Sequence, residues 1–508
     1  MSSLAVEMRN ITKLFRGVKG NSGVDFKLKK GSIHGLLGEN GAGKTTLMNI
    51  LYGFYQPEEG EIYIRGNREV ISSPTKAISL GIGMVHQHFM LARPFSVVEN
   101  VMLGKKGRHR FLLDTAKTAK ELVNLSRKYK MEIDPYSKIW QLSVGEQQRV
   151  EILTALYMGA DILILDEPTA VLTPQEVDML FETLRKMRDD GKSIILITHK
   201  LEEIISVVDE VTVLRDGKLV GTKVLTPDTT KEELTRMMVG RDVLFDFPQN
   251  DIKPGAVEVS IQNLSTKNDK GLDALSNLSL DIHKNEILGL AGVDGNGQKE
   301  LCEVLTGMRK ADGAIMMDGE NIINRNPAFY INKGIAHITE DRHETGLALD
   351  LSLKKNLVIK RFIKEPFSKH GFLNEKAITD YWNKKRDEYH IKSDSADEPA
   401  RALSGGNQQK IVLARELDNN PSLVIANQPT RGLDIGASEY VRTKILEARN
   451  EGSAVLLISA DLEEILQLSD RIAVIYNGRI TGILPKNAGI HEIGSLMLGK
   501  KQEAAVNA

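Results

Sequence analysis

Short, largely apolar runs punctuate this chain, separated by longer stretches in which apolar and polar positions recur at helical spacing. The segments 33–37, 162–165, 194–198 and 454–458 are brief and rich in isoleucine, leucine and valine. Runs of that length are too short for helices of any independence and fit strands buried on both faces. Segments such as 45–51 and 115–130 carry the helical pattern between them. Two hairpins are predicted where Pro57-Glu58-Glu59-Gly60 turns into 61–65 and where Ala311-Asp312-Gly313 turns into 314–317. Alternating β and α segments predict an α/β fold, with a parallel sheet covered by helices on both faces.

The pattern is written twice. Gly38-Glu39-Asn40-Gly41-Ala42-Gly43-Lys44-Thr45 is matched by Gly292-Val293-Asp294-Gly295-Asn296-Gly297-Gln298-Lys299. Leu142-Ser143-Val144-Gly145 is matched by Leu403-Ser404-Gly405-Gly406, and Leu201-Glu202-Glu203-Ile204 by Leu462-Glu463-Glu464-Ile465. The repeat predicts two domains, 1–240 and 258–508, each long enough for its own core. The joint, 241–257, holds Pro248, Asn250, Asp251 and Pro254 and reads as a polar linker.

Composition narrows the picture. The net charge of −1 over 508 residues argues against a nucleic-acid-binding surface, so no nucleic acid partner is expected. The single cysteine, Cys302, excludes an internal disulfide and reads as a buried structural thiol. No apolar run approaches the ~20 residues needed to span a bilayer. Any membrane link is expected to come through a partner.

The first half carries the chemistry. A glycine-rich loop between a strand and a helix can turn backbone N–H groups towards phosphate, with the helix dipole behind them. Within it, Lys44 can reach the β- and γ-phosphates and Thr45 can hold Mg²⁺. Asp166 ends the strand 162–165 and can hold the same ion through water, while Glu167 can orient and deprotonate an attacking water. Ser143 with Glu146 has capping-box spacing at the start of a helix. A glycine-rich turn, a capping pair of acids and an ordinary capped helix would each explain one segment alone.

In order, these motifs resemble the Walker A loop, glutamine loop, LSxGxQ signature, Walker B segment with its glutamate, and switch histidine of an ATP-binding cassette (ABC) ATPase. The resemblance runs over nearly the whole chain, twice. It implies two tandem ABC ATPase domains, each with a RecA-like core, an antiparallel β subdomain and an α-helical subdomain, paired within the chain head to tail around ATP. By resemblance Phe15 stacks on adenine. Gly38, Asn40, Gly41, Gly43, Lys44, Thr45 and Thr46 hold the phosphates. Gln87 senses Mg²⁺ and the attacking water, and His199 contacts the γ-phosphate.

The second half departs from the pattern where the chemistry lies. Gln298 and Lys299 replace Lys44 and Thr45, while Asn427 and Gln428 replace Asp166 and Glu167. Glu340 stands at the position of Gln87 and Ala460 at that of His199. Glu340 with Asp341 would repel phosphate unless Arg342 offsets them. Yet Ser404-Gly405-Gly406-Asn407 fits the signature better than the first half does, and Gly432-Leu433-Asp434 fits the D-loop where the first half has Val171-Leu172-Thr173. In the family sandwich, signature and D-loop serve the opposite site. Ser404, Gly405, Gly406, Asn407 and Asp434 are therefore expected to complete one active site with Lys44, Thr45, Gln87, Asp166, Glu167 and His199.

Fused cassettes of this kind resemble the ATPase subunits of bacterial monosaccharide and nucleoside importers. Val85-His86-Gln87-His88-Phe89-Met90 and Thr339-Glu340-Asp341-Arg342-His343 lean towards the nucleoside branch, with ribose or galactose as the alternative. The resemblance implies ATP and Mg²⁺ as cofactors. It implies two membrane permease subunits contacting 89–98 and 342–353, and an extracytoplasmic substrate-binding (lipo)protein. The chain would then sit peripherally on the cytoplasmic face of the membrane. A soluble twin-cassette ribosome ATPase is the rival, disfavoured by the short joint and the damaged second set of motifs.

Overall fold

The computed structural model describes residues 3–15, 18–86, 90–103, 114–169, 172–240, 252–418 and 420–500. Gln87, His88, Phe89, most of the joint and the C-terminal tail lie outside them. The chain divides into two compact units, Met1–Val243 and Leu244–Ala508.

Each unit holds a six-stranded sheet of the same order. In the first, Lys218–Val224, Glu210–Arg215, Ile33–Leu37, Ser193–Ile197, Ile162–Asp166 and Ile82–Val85 lie side by side. All neighbours are parallel except the edge pair Glu210–Arg215 and Lys218–Val224. In the second, Ile335–Ile338, Leu423–Asn427, Ala454–Ser459, Ile287–Ala291, Arg471–Tyr476 and Arg479–Pro485 repeat that arrangement. Every residue of Ile33–Leu37, Ile162–Asp166, Ser193–Ile197 and Ala454–Ser459 is buried, as the apolar runs predict. Full burial of one such Leu or Ile side chain stabilises by about 1.5–3 kcal/mol.

A four-stranded antiparallel sheet opens each unit, built on Leu4–Phe15 in the first and Val257–Lys267 in the second. A helical region follows. In the first unit it includes Val97–Met102, Thr115–Lys128 and Val144–Tyr157, in the second Leu353–Val358, Glu375–Glu388 and Gly405–Glu416. Trp382 fills the core of the second helical region. The helix expected over 115–130 stops at Lys128, because Tyr129 turns inward and Lys130 takes the left-handed conformation, φ 56°. The Met131 N–H then closes on the Ser126 carbonyl at 2.8 Å, a left-handed helix stop.

Candidate functional site

The strand Ile33–Leu37 lies between Ser193–Ile197 and Glu210–Arg215, so its C-terminal end opens where neighbouring strands connect in opposite directions along the sheet. Ligands of open α/β sheets bind at such a point. There the chain turns through Gly41 (φ 82°) and Gly43 (φ 95°) into the helix Lys44–Leu51. A β-carbon on Gly43 would stand 2.4 Å from the Gly20 carbonyl oxygen, so only glycine fits. No side chain caps the helix, which leaves its first N–H groups facing outward for an anion. Lys44 Nζ donates to the Gly38 and Glu39 carbonyls at 2.7 and 3.0 Å, across the hollow of the loop. Burial holds its pKa below the usual lysine value, against the opposing charges of Glu167, Asp166 and Glu39. Asn40 and Gly41 form the exposed crest.

Register sets the acids beside this loop. Asp166 and Leu36 both pair with Ile197, so the three strands end level. Burial, with the charge of Glu167 next to it, raises the Asp166 carboxyl to about 6; Lys44 and a hydrogen bond from Thr45 oppose the shift. Thr45 and Asp166 thus present adjacent hard oxygen donors at the loop mouth, the donor type that Mg²⁺ takes. Glu167 has a left-handed backbone, φ 47°, and its N–H bonds the Ile197 carbonyl at 2.9 Å. Its Oε1 lies 2.9 Å from His199 Nδ1. Burial alone would push the Glu167 carboxyl up, but the hydrogen bond and charge of His199, with Lys44 and Lys200, bring it below the usual value. Two adjacent carboxyls are therefore driven apart.

The raised value sets a pH dependence. Asp166 loses its charge as pH falls through about 6, so a cation bound there would be held more weakly towards acid and most strongly above neutrality. If Thr45 and Asp166 hold Mg²⁺, the affinity of the site for it should fall by about tenfold for each pH unit below 6. A Mg²⁺ affinity unchanged between pH 7.5 and 5.5 would contradict this.

Phe15 is brought to the same loop. Its ring lies over Gly20, where a β-carbon would meet Phe15 Cε2 at 2.8 Å and Thr46 Cγ2 at 3.2 Å. It stacks edge-on against Tyr55, and Lys13 Nζ lies 5.6 Å over its ring. Gln87 lies outside the described residues. His86, next to it, packs edge-on against Tyr52 and tilted against Phe54.

The second unit repeats the frame with different contents. Gln298 Nε2 donates to the Val293 carbonyl at 3.0 Å, as Lys44 does to Glu39. Unlike a lysine, its amide oxygen also accepts the Asn296 N–H, at 3.0 Å, so the loop is bonded to its own side chain. Lys299 extends outward towards Glu303 and Asp269, at 3.7 and 3.8 Å. Gln428 keeps the left-handed backbone of Glu167, φ 48°, and its N–H bonds Ile458 O at 2.7 Å. Its amide oxygen accepts the Ala460 N–H at 3.1 Å, where His199 stands in the first half. The cation that meets Glu340 is Arg431 and not Arg342, which corrects the sequence expectation. Arg342 instead donates to the Arg431 carbonyl at 2.8 Å, while its charge acts on Asp341, whose Oδ1 accepts the His343 and Glu344 N–H groups.

The signature residues of the second unit lie in one patch. Ser404 begins the helix Gly405–Glu416 without capping it; its hydroxyl is held at 3.0 Å by the Asn407 amide. Ser143, by contrast, is spent in a capping box with Glu146. A β-carbon on Gly406 would sit 3.8 Å from Asp434, and one on Gly405 would sit 3.6 Å from the Arg342 guanidinium. Asp434 caps the helix Ile435–Asn450 through the Ala437 N–H at 2.6 Å. Arg342 was not foreseen beside the signature; only the fold brings it there.

The sequence profile described as ABC transporter matches residues 21–170 and 275–431, which contain both glycine loops and both strand-end acid or amide pairs. The chain belongs to the ABC transporter family. It is an ATPase with two tandem ABC ATPase domains, and it binds ATP. A nucleoside import ATP-binding protein of Lactococcus lactis is 47% identical over 97% of this chain and 98% of its own length. A guanosine import ATP-binding protein of Bacillus subtilis is 48% identical over 99% of each. A glucose import ATP-binding protein of Haloferax volcanii is 44% identical over 97% of this chain and 96% of its own. Among the described residues of the cassettes, no helix is long and apolar enough to cross a membrane.

Proposed function

We propose that the first cassette hydrolyses ATP and the second completes its site without turning over ATP itself, and that the cycle drives import of a nucleoside. The observation that carries this reading is the pairing of Glu167 with His199 beside Lys44, Thr45 and Asp166, set against the amide pair Gln298 and Gln428 in the second half. Bound Mg²⁺ would be held by Thr45, Asp166 and Gln87, and would neutralise charge developing on the phosphates. Lys44 binds the β- and γ-phosphates, and Phe15 stacks on the base. Glu167, ionised and steadied by His199, takes a proton from water as the water oxygen bonds to the γ-phosphorus. The bond from that phosphorus to the bridging oxygen breaks, releasing ADP and phosphate. Ser404, Gly405, Gly406, Asn407 and Asp434 supply the signature and D-loop that face the γ-phosphate. Two permease subunits and an extracytoplasmic binding protein are the partners, with the chain peripheral on the cytoplasmic face of the membrane.

The nucleoside reading is supported by the two nucleoside-importing relatives, at 47% and 48% identity. ATP hydrolysis by the complex purified from membranes, with its binding protein present, tests it. Guanosine or adenosine should raise the rate several-fold while glucose, ribose and galactose leave it at its basal level. Stimulation by a sugar alone would keep the mechanism and overturn the substrate; absence of any co-purifying permease would overturn the transport reading.

A further inference from the structure

Glu203, on the helix Leu201–Val207, is a buried carboxylate that the reaction above does not use. Removing a carboxylate from water is costly unless close partners compensate. Its Oε1 accepts a hydrogen bond from the Thr169 hydroxyl and lies 3.6 Å from Lys200 Nζ; its Oε2 has no hydrogen-bond partner. Thr169, itself buried, follows Glu167 by two residues, and Glu203 follows His199 by four. One bond therefore joins the segment carrying the base to the segment carrying its histidine.

The second half supplies the comparison. It has the same buried carboxylate, Glu464, but that group accepts from Arg442 Nε at 3.2 Å and not from Thr430. The position of Arg442 is Phe181 in the first half, so no guanidinium there competes for Glu203. A neighbouring tie is kept in both halves: Gln148 Nε2 bonds the Pro168 carbonyl, and Gln409 Nε2 bonds the Pro429 carbonyl at 2.8 Å. The halves share the tie that any cassette of this chain needs. They differ in the one that reaches from the base segment to the histidine segment, and the half that has it is the half with the acids.

We infer that Glu203, acting through Thr169, is a positioning residue for Glu167. It fixes the base against His199 and so sets the rate of proton removal, without touching nucleotide. This rests on Glu167 being the base. An ångström of misplacement of a reacting group can cost about a hundredfold in rate, so a partial loosening should cost about tenfold.

The test uses the full-length chain in its membrane complex. Thr169→Val removes the hydroxyl at nearly constant volume, and Glu203→Ala removes the carboxylate. Each should lower kcat for ATP hydrolysis by about tenfold with KM for ATP within about twofold and Tm within a few degrees. Thr169→Val with Glu203→Ala should be no worse than the worse single change, because both break one bond. Glu203→Gln, which keeps an acceptor oxygen, should recover most of the rate, and Glu464→Ala should lower Tm and leave kcat alone. Parent-like kcat in Thr169→Val would overturn the inference. So would a joint loss of kcat, KM and Tm, or an equal fall in kcat for Glu464→Ala. Glu167→Gln is run beside them: if it turns over like the parent, the assignment of the base falls, and the tether with it.

Discussion

Glu167→Gln should lose at least about a hundredfold in ATP turnover while still binding ATP. Glutamine keeps the volume, the left-handed backbone and a hydrogen-bond partner for His199, as Gln428 shows in its own unit with φ 48°. What it removes is the carboxylate paired with His199, held ionised and able to accept a proton. The His199 bond and the neighbouring cations hold Glu167 charged in spite of its burial, so its loss is a loss of base and not of fold. Phosphate release measured beside nucleotide binding separates the two. Gln428→Ala, tried in parallel, should change turnover by no more than about twofold, since an amide contributes no proton acceptance of consequence. Equal rates for Glu167→Gln and the parent would sink the one-site reading.

Lys44→Gln makes the first loop resemble the second, and its effect should fall on binding. The ammonium spans the hollow of the loop and meets only carbonyls there, so phosphate oxygens offer it better partners than it now has. A glutamine at this place can fold onto the loop as Gln298 does, donating to one carbonyl and accepting a loop N–H that would otherwise meet phosphate. Loss of a hydrogen bond to a charged group costs about 1.5–3 kcal/mol, which predicts a Kd for ATP raised by between about tenfold and a hundredfold. Calorimetry on the variant reads this directly. An unchanged Kd would mean that Lys44 serves only the chemical step.

Much of this was legible in the sequence, because the features concerned are local. The glycine loop needs left-handed backbone at Gly41 and Gly43, and a strand-to-helix turn shows itself in a few adjacent residues. The buried strands are visible because both faces must be apolar. The spacing of the repeat also identified Gln428 as the counterpart of Glu167. The contents of the second site were less legible. Glu340 sits beside Asp341 and Arg342 in the chain, yet its partner is Arg431, which the Leu423–Asn427 strand delivers from far along the sequence. Likewise Thr169 and Glu203 meet only because the strands Ile162–Asp166 and Ser193–Ile197 pair in register. Long-range pairing of polar side chains carries no periodic signal, so no pattern of apolar positions announces it.

A left-handed conformation is costly for any residue with a side chain, about 1 kcal/mol or more, and is kept only where surrounding structure insists on it. Glu167 and Gln428 both adopt it, and both are pinned by a bond to the neighbouring strand. The bend therefore belongs to the scaffold and does not depend on which side chain it presents. In the second unit the side chains differ from the first and this bend does not. Exchanging Gln298, Lys299, Asn427, Gln428 and Ala460 for their first-half counterparts would place those side chains on a backbone already bent to present them. The backbone that would present a base is thus kept in both units, whichever side chain stands on it.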